Sequence, residues 1–479
     1  MSSQQEQSRI SRPKSLEAAL NRFDEIQEKL QPGANAGSVY ERQEGRSMTI
    51  DQGLPPRMAE KRQHRRCKTM PDAMGHRRGD TEVSEELMSI IHDRQEELKK
   101  RIRRGSLFFG TITDEHYEVF WNHRCVVHVH GTLDNSDVPF KEREVFHVGS
   151  IPLSDVQDTM GKGEGDGLVA VHDGSLGISF SCIKGFKGEG DNTLNQDNFS
   201  ITRLDNGWDI ICVMDGHGPN GHMASYRAVK SLPYYLAHSD ILEPSLMEKA
   251  VDQPAELDWE FTVARRCMEQ CFQLTNQDML GHALANDYEV QASGTTAVVF
   301  VRNHKKDPDV FWSAHCGDSR LVVGTEAKRT MEYVTADHKP DSPSEQPRIE
   351  ASGGEVRSFT YDDNWTVHRI FVRDADYPGL CMARSLGDHC VKTHGVTCDP
   401  EVHRHTLPDR KAKPLIIMAS DGVWEFLSSE WVMKALSRKV GTEGASRCIQ
   451  KLSKEARKRW KEEEGDYCDD ITSVIIQFK

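Results

Sequence analysis

Four apolar runs of this chain each meet a carboxylate at one end. "WDIICVMDGHG" reaches Asp215, "SAHCGDSR" holds Asp318 in a turn between two strand-like segments, "IIMASDGVWE" reaches Asp421, and "GDYCDDITSV" sets Asp469 just before the last apolar run. One Asp-Gly junction is ordinary turn chemistry, because glycine accepts backbone angles that a Cβ forbids and Asp bonds its own turn. Four such ends are hard to ascribe to turns alone. If the strand tips converge, their carboxylates repel one another unless cations sit among them. Oxygen donors without clustered Cys or His suit Mg²⁺ or Mn²⁺ rather than Zn²⁺.

From residue 177 onward the chain is built of compact strand-like runs, among them "GISFSCIK", "GTTAVVFVR", "SRLVVG", "LIIMAS" and "ITSVIIQF". Helical spacing over residues 221–237 and 259–285, and twice after Ser429, is interleaved with them. The order is neither strict strand-helix alternation nor all strand, so we expect an α+β domain over residues 177–479, with sheets flanked by helices. Cys267 and Cys271 fall on one face of the second helix, as a core pair would.

The preceding chain divides in two. Residues 111–176 alternate short apolar pieces with Gly and Asp and read as a β-rich lead-in; His128 and His130 share one strand face there but lack a third ligand, which favours a plain strand. Residues 1–110 form a polar extension, expected to be largely disordered from Met1 to about Asp80. Two amphipathic helices are expected in it: one with Leu16, Leu20, Phe23, Ile26 or Gln27, and Leu30, and one with Leu87, Ile90, Ile91, Leu98 and Ile102. They either pack on their own chain or dock a protein partner.

A net charge of −14 disfavours general binding to nucleic acid or anionic membranes. Twelve cysteines without a CxxC pair read as reduced intracellular thiols. No apolar run of about 18 residues predicts a membrane span. The expected location is cytoplasmic, with the basic run Lys61 to Lys68 as the argument for a nuclear one.

The ordered series "NQDNF", "DGHG", "SGTTA", "CGDSR", "DHKP", "RIEASGGEV", "ARSLGD", "SDGVWEFLS" and "DDITSVII" resembles the metal-dependent serine/threonine protein phosphatases of type 2C. The resemblance implies an α/β/β/α sandwich of two antiparallel sheets with helices outside each. It also implies hydrolysis of phosphoserine and phosphothreonine in proteins by water activated between two Mg²⁺ or Mn²⁺ ions. By motif, Asp215 would bridge both ions, the Gly216 carbonyl would help hold one, and Asp421 and Asp469 would complete the set. Asp318 and Glu425 fall where a weaker third ion binds. His217, two residues beyond Asp215, is the expected proton donor to the leaving oxygen. Thr295 and Thr296 are given no chemistry.

Three positions depart from the family pattern. Gln196 stands where many members have Glu, beside an intact Asp197, so metal binding through this pair is expected to be weaker. Asn192 replaces an Arg that grips phosphate, leaving Lys184 and Lys187 as substitutes. Glu425 replaces the commoner Asp. The stretch from Arg357 to Gly379 lies where the family carries a substrate-shaping flap. An inactive scaffold that binds partners through the same fold is the alternative reading; retention of Asp215, Asp421 and Asp469 favours the enzyme. Finally, "KKRIRRGSLFF" places Arg103 and Arg104 ahead of Ser106, as basophilic kinases require, which makes Ser106 a candidate regulatory phosphosite.

Overall fold

Alternating side chains along the strands set the layers of this protein. The computed structural model describes residues 111–131, 146–149, 169–172, 176–188, 191, 193–239, 259–360 and 366–478. The two N-terminal amphipathic helices, the basic run Lys61 to Lys68, Ser106, Asn192 and the side chains of His128 and His130 lie outside the described set.

Helix α1 (Asp114–Arg124) runs into β1 (Cys125–Gly131), followed by β2 (Phe146–Gly149), β3 (Val169–His172), β4 (Leu176–Ile183), β5 (Asp197–Leu204) and β6 (Trp208–His217). Helices α2 (Gly221–Ala237) and α3 (Trp259–Asn286) precede β7 (Gly294–Thr295), β8 (Ala297–Asn303), β9 (Val310–Cys316), β10 (Arg320–Thr325) and β11 (Met331–Val334). Next come α4 (Gln346–Ala351), β12 (Gly354–Thr360), β13 (Thr366–Val372), β14 (Pro378–Leu380), β15 (Leu386–Gly387), β16 (Glu401–Thr406) and β17 (Pro414–Ala419). The chain closes with α5 (Asp421–Trp424), α6 (Ser429–Glu443), α7 (Ala445–Glu464) and β18 (Ile471–Phe478).

Two antiparallel sheets result, ordered β16-β9-β8-β6-β5-β1-β2 and β11-β10-β17-β18-β4-β3, with β12-β13-β14 forming a separate small sheet. Every second residue of the facing strands enters the layer between the large sheets: Ile178, Phe180 and Cys182; Phe199 and Ile201; Ile211 and Val213; Val298 and Phe300; Ile416 and Met418; Val474, Ile476 and Phe478. This period of two is what a strand with one face on a core requires. Odd-numbered Leu415, Ile417 and Ala419 point the other way, into a second cluster with Val432, Leu436 and Trp460 from α6 and α7. Helix α2 covers β5 and β6, while α7 covers β4 and β18. The result is the α/β/β/α sandwich expected from the motif series.

The lead-in segment joins this frame. β1 pairs antiparallel with β5, and α1 touches both β1 and α2. The buried Arg227 of α2 ties these pieces together, donating to Asp278 of α3 through Nε and Nη2, each at 2.7 Å, and to the Ile112 carbonyl at 2.7 Å. A two-pronged guanidinium-carboxylate bond of this kind is strong only because both partners are satisfied. Cys267 and Cys271 are both buried on α3. Among the described residues, no helix is long and apolar enough to cross a membrane.

Candidate active site

Backbone ties between strand ends bring the predicted carboxylates together. Asp215 sits near the end of β6, where its amide donates to Thr296 Oγ1 (3.1 Å) and its carbonyl accepts from the Thr296 amide (2.8 Å). On the other sheet, the Ser420 amide donates to the Thr472 carbonyl (3.0 Å) and the Thr472 amide to Ser420 Oγ (3.0 Å). That pair fixes Asp421 where α5 begins, next to the entry of β18. Asp470 accepts from the amides of Gly185 (2.7 Å) and Gln196 (2.8 Å), which locks the neighbouring Asp469 against the β5 approach. The outcome is a cleft of about 460 Å³ lined by Asp215, Gly216, His217, Asp318, Asp421, Glu425 and Asp469, with Gln196 and Lys187 at its edge.

The turn after β6 needs its glycines. A Cβ on Gly216 would lie 2.3 Å from the Gly221 carbonyl oxygen and 2.5 Å from that of Gln196. Gly218 adopts a positive φ of 80°, which side chains rarely accept. The "DGHG" spacing is therefore a packing requirement as well as a chemical one.

The cleft is strongly acidic. Among the described residues, eight carboxylates line it (Asp215, Asp318, Asp337, Asp341, Asp388, Asp421, Glu425 and Asp469) against four Lys or Arg side chains (Lys187, Arg320, Lys339 and Arg369). Burial first, and then the neighbouring Asp197, Asp421 and Asp469, push Asp215 well above the usual carboxylate range. Burial also lifts Asp469, to about 7, with Asp421 and Asp470 adding to the rise against Lys187. Burial alone would raise Asp318 too, but the Lys339 ammonium, 2.5 Å from Oδ2, outweighs it and holds the group below its ordinary range. Crowded carboxylates with raised proton affinity are the electrostatic sign of a site that lacks enough positive charge of its own. Asp318 Oδ1 and Asp197 Oδ1 are both buried without a hydrogen-bond partner among the described residues. The all-oxygen donor set of the cleft fits hard divalent cations.

His217 is held from one side. Its Nε2 lies 2.8 Å from Asp388 Oδ2, while Nδ1 is buried and has no hydrogen-bond partner among the described residues. Burial would raise Asp388, but the His217 ring beside it more than compensates and keeps the carboxyl below its usual range. Ser385 Oγ donates to the same Asp388 oxygen (2.5 Å) and in turn accepts from Lys392 (3.1 Å).

The remaining predicted residues divide by position. Asp197 lies behind the cleft, paired across the sheet with Asp215 and accepting from Ser420 Oγ at 2.7 Å. Lys184 is engaged by Asp191 (3.1 Å) and Asp470 (3.5 Å) and does not line the cleft, which withdraws it from phosphate binding. Lys187 does line it, 3.4 Å from Gln196 Oε1 and 3.9 Å from Asp469. Gln196 spends its amide on the turn: Nε2 donates to the Gly218 carbonyl at 2.7 Å. Replacing it by Glu exchanges that anchor for a charge. Gln196→Glu is expected to cost about 1–3 kcal/mol in the metal-free protein and to tighten Mn²⁺ binding. Thermal unfolding with and without Mn²⁺ reads both effects, and an unchanged metal-free midpoint would remove the anchoring role.

Several participants are not visible in single motifs. Thr296 holds the Asp215 backbone, and Asp388, the last residue of "ARSLGD", holds His217. Lys339 of "DHKP" sits on Asp318, and Arg320 of "CGDSR" clamps Asp337 through two bonds of 2.5 and 2.8 Å. Carboxylates make these motifs conspicuous in the sequence, yet the basic or hydroxyl member of each is equally involved. The β13 residues Thr366 to Arg369 form a further wall of the cleft.

A second group of donors lies behind Asp318. His315, His338 and Glu401 bring ligand atoms within 4.8 Å of one another. Hydrogen bonding argues against both imidazoles ligating an ion together. The Gly317 amide donates to His338 Nδ1 (3.1 Å), which assigns that ring's proton to Nε2, the nitrogen 3.5 Å from Glu401 Oε2. Burial, then the stacked His338, depress His315 to about 3. The ordinary histidine value in the unfolded chain is about 6.5, so the stability it contributes is complete above that pH and is lost as pH falls toward the folded value. The loss is on the order of 5 kcal/mol at most, at about 1.36 kcal/mol for each pH unit that separates the two values. His315→Gln should flatten the acid limb of the unfolding free energy between those limits; an unchanged slope would assign acid sensitivity elsewhere.

Three comparisons bear on this geometry. The family model described as "Protein phosphatase 2C" matches residues 177–465. "Probable protein phosphatase 2C 73" of Arabidopsis thaliana is 31% identical over 282 residues, spanning 56% of this chain and 70% of that protein. The "Probable protein phosphatase 2C 73" of Oryza sativa subsp. japonica is 30% identical over 325 residues, covering 64% and 73% respectively. Among solved structures, the serine-threonine phosphatase 2C from Toxoplasma gondii aligns with a TM-score of 0.52 at 19% identity, over 65% of this chain and 99% of that one. That last likeness is one of fold.

Proposed function

This chain belongs to the protein phosphatase 2C family and is a protein serine/threonine phosphatase; on that premise we propose that it works with two divalent cations, Mg²⁺ or Mn²⁺, held by Asp215, the Gly216 carbonyl, Asp421 and Asp469. The observation that carries this reading is the crowding of Asp215, Asp421 and Asp469 in one cleft, where burial and mutual repulsion raise the proton affinities of Asp215 and Asp469. When bound, two such cations supply Lewis-acid activation of a water and neutralise charge on the phosphoryl group. Asp197 and Gln196 support the shell from behind, and Asp318 and Glu425 stand at its outer edge.

The chain's own groups do the rest. Lys187 at the rim is suited to a phosphate oxygen as a point charge. Charge builds on the departing serine or threonine oxygen in the transition state, and His217 is the proton donor to it. Asp388 fixes the imidazole through Nε2. The wall from Thr366 to Arg369 shapes which phosphoprotein segment enters. The N-terminal helices would recruit a partner protein and Ser106 would be a site of control; both remain expectations from sequence, as does a cytoplasmic or nuclear location.

Hydrolysis of a phosphothreonine peptide, titrated with Mn²⁺ and reversed with EDTA, tests the metal requirement. Turnover is expected to rise from background with Mn²⁺ and to fall back on chelation. Chelator-resistant turnover would sink the two-cation reading, and no turnover at any Mn²⁺ concentration would favour the scaffold.

A further inference from the structure

Lys339 is an unusual presence among the carboxylates. Its Nζ lies 2.5 Å from Asp318 Oδ2 and 4.0 Å from Asp337 Oδ2. The pair is built in by the backbone. The His338 amide donates to the Gly317 carbonyl (3.1 Å) while the Gly317 amide donates to His338 Nδ1 (3.1 Å), so the residues just before Asp318 and Lys339 are bonded to each other. Asp337, on the other flank, is clamped by Arg320. Asp318 is only 3% exposed, and its second oxygen, Oδ1, is buried and has no hydrogen-bond partner among the described residues.

Asp337, beside this pair, is met by Arg320. Asp318 is met by Lys339 in the same way. A third divalent ion on Asp318 would sit beside an ammonium already bonded to the same carboxylate, and like charges at that range repel. Resting on the two-cation reading above, we infer that the Lys339 ammonium is the resident third cation of this site: the chain binds two divalent ions, and Lys339 denies a third ion its place on Asp318.

Mn²⁺ binding to the full-length chain, counted from the loss of the free-ion electron paramagnetic resonance signal, tests the assignment without reference to activity. The wild type is expected to bind two Mn²⁺. Lys339→Met, of similar length without the charge, is expected to bind three, and Lys339→Arg two. Asp318→Asn in the Met background should return the count to two. Asp318→Asn alone, which needs no tolerance of the Met side chain, should leave the wild-type count unchanged. Three ions on the wild type, equal counts for wild type and Lys339→Met, or a lost ion on Asp318→Asn alone would each overturn the inference. A wild-type count below two, with Lys339→Met one higher, would instead fail the two-cation reading while supporting the role of Lys339.

Discussion

Asp215→Asn is expected to lower phosphopeptide turnover by about 10³-fold, the loss of several kcal/mol of cation-derived stabilisation at about 1.36 kcal/mol per decade. The fold should survive. Asn is nearly isosteric and keeps the backbone bonds to Thr296. It also removes a carboxyl whose ionised form is disfavoured by burial and by Asp197, Asp421 and Asp469, so the metal-free protein should be at least as stable as the wild type. The upward shift of the melting temperature on adding Mn²⁺, which reports binding to the folded state, should largely vanish. Near-normal turnover with an intact Mn²⁺ shift would place the catalytic cations elsewhere.

His217→Ala should be nearly as damaging, but selectively. General acid assistance contributes about 10²–10⁴-fold when the leaving group is a poor one. A phosphoserine or phosphothreonine peptide, whose alkoxide needs a proton, is therefore expected to lose that much in kcat, whereas p-nitrophenyl phosphate should lose far less. Asp388→Asn should reproduce part of the same selectivity, because the imidazole is positioned through Nε2 by that carboxylate. Equal losses on both substrates would assign His217 to the architecture of the β6 turn rather than to proton transfer.

Much of the fold could be read from local pattern. The runs "GISFSCIK" and "ITSVIIQF" read as strands, and they are β4 and β18, whose Ile178, Phe180, Val474 and Ile476 enter the layer between the sheets. The helix expected over residues 221–237 is α2, and that expected over 259–285 is α3. These succeed because strand and helix periodicity is a property of neighbouring residues. Lys184 and Lys187 show where local reading stops. Both are basic residues three apart at a strand end, and nothing in their spacing says that one pairs with Asp191 and Asp470 while the other lines the cleft. Gln196 is similar: its type suggested a weak ligand, and only its contact with the Gly218 carbonyl reveals an anchor.

By itself, the sequence determined the alternating strands, the carboxylates at their tips, and the ordered motifs that mark the family. Those are matters of residue type and short spacing. The tertiary structure alone decided the pairings: His217 with Asp388, 171 residues away, Ser420 with Asp197, 223 away, and Lys339 with Asp318, 21 away. A side chain's partner depends on which strand ends the two sheets bring together, and that is settled by burial of the layer between them, which no local spacing encodes.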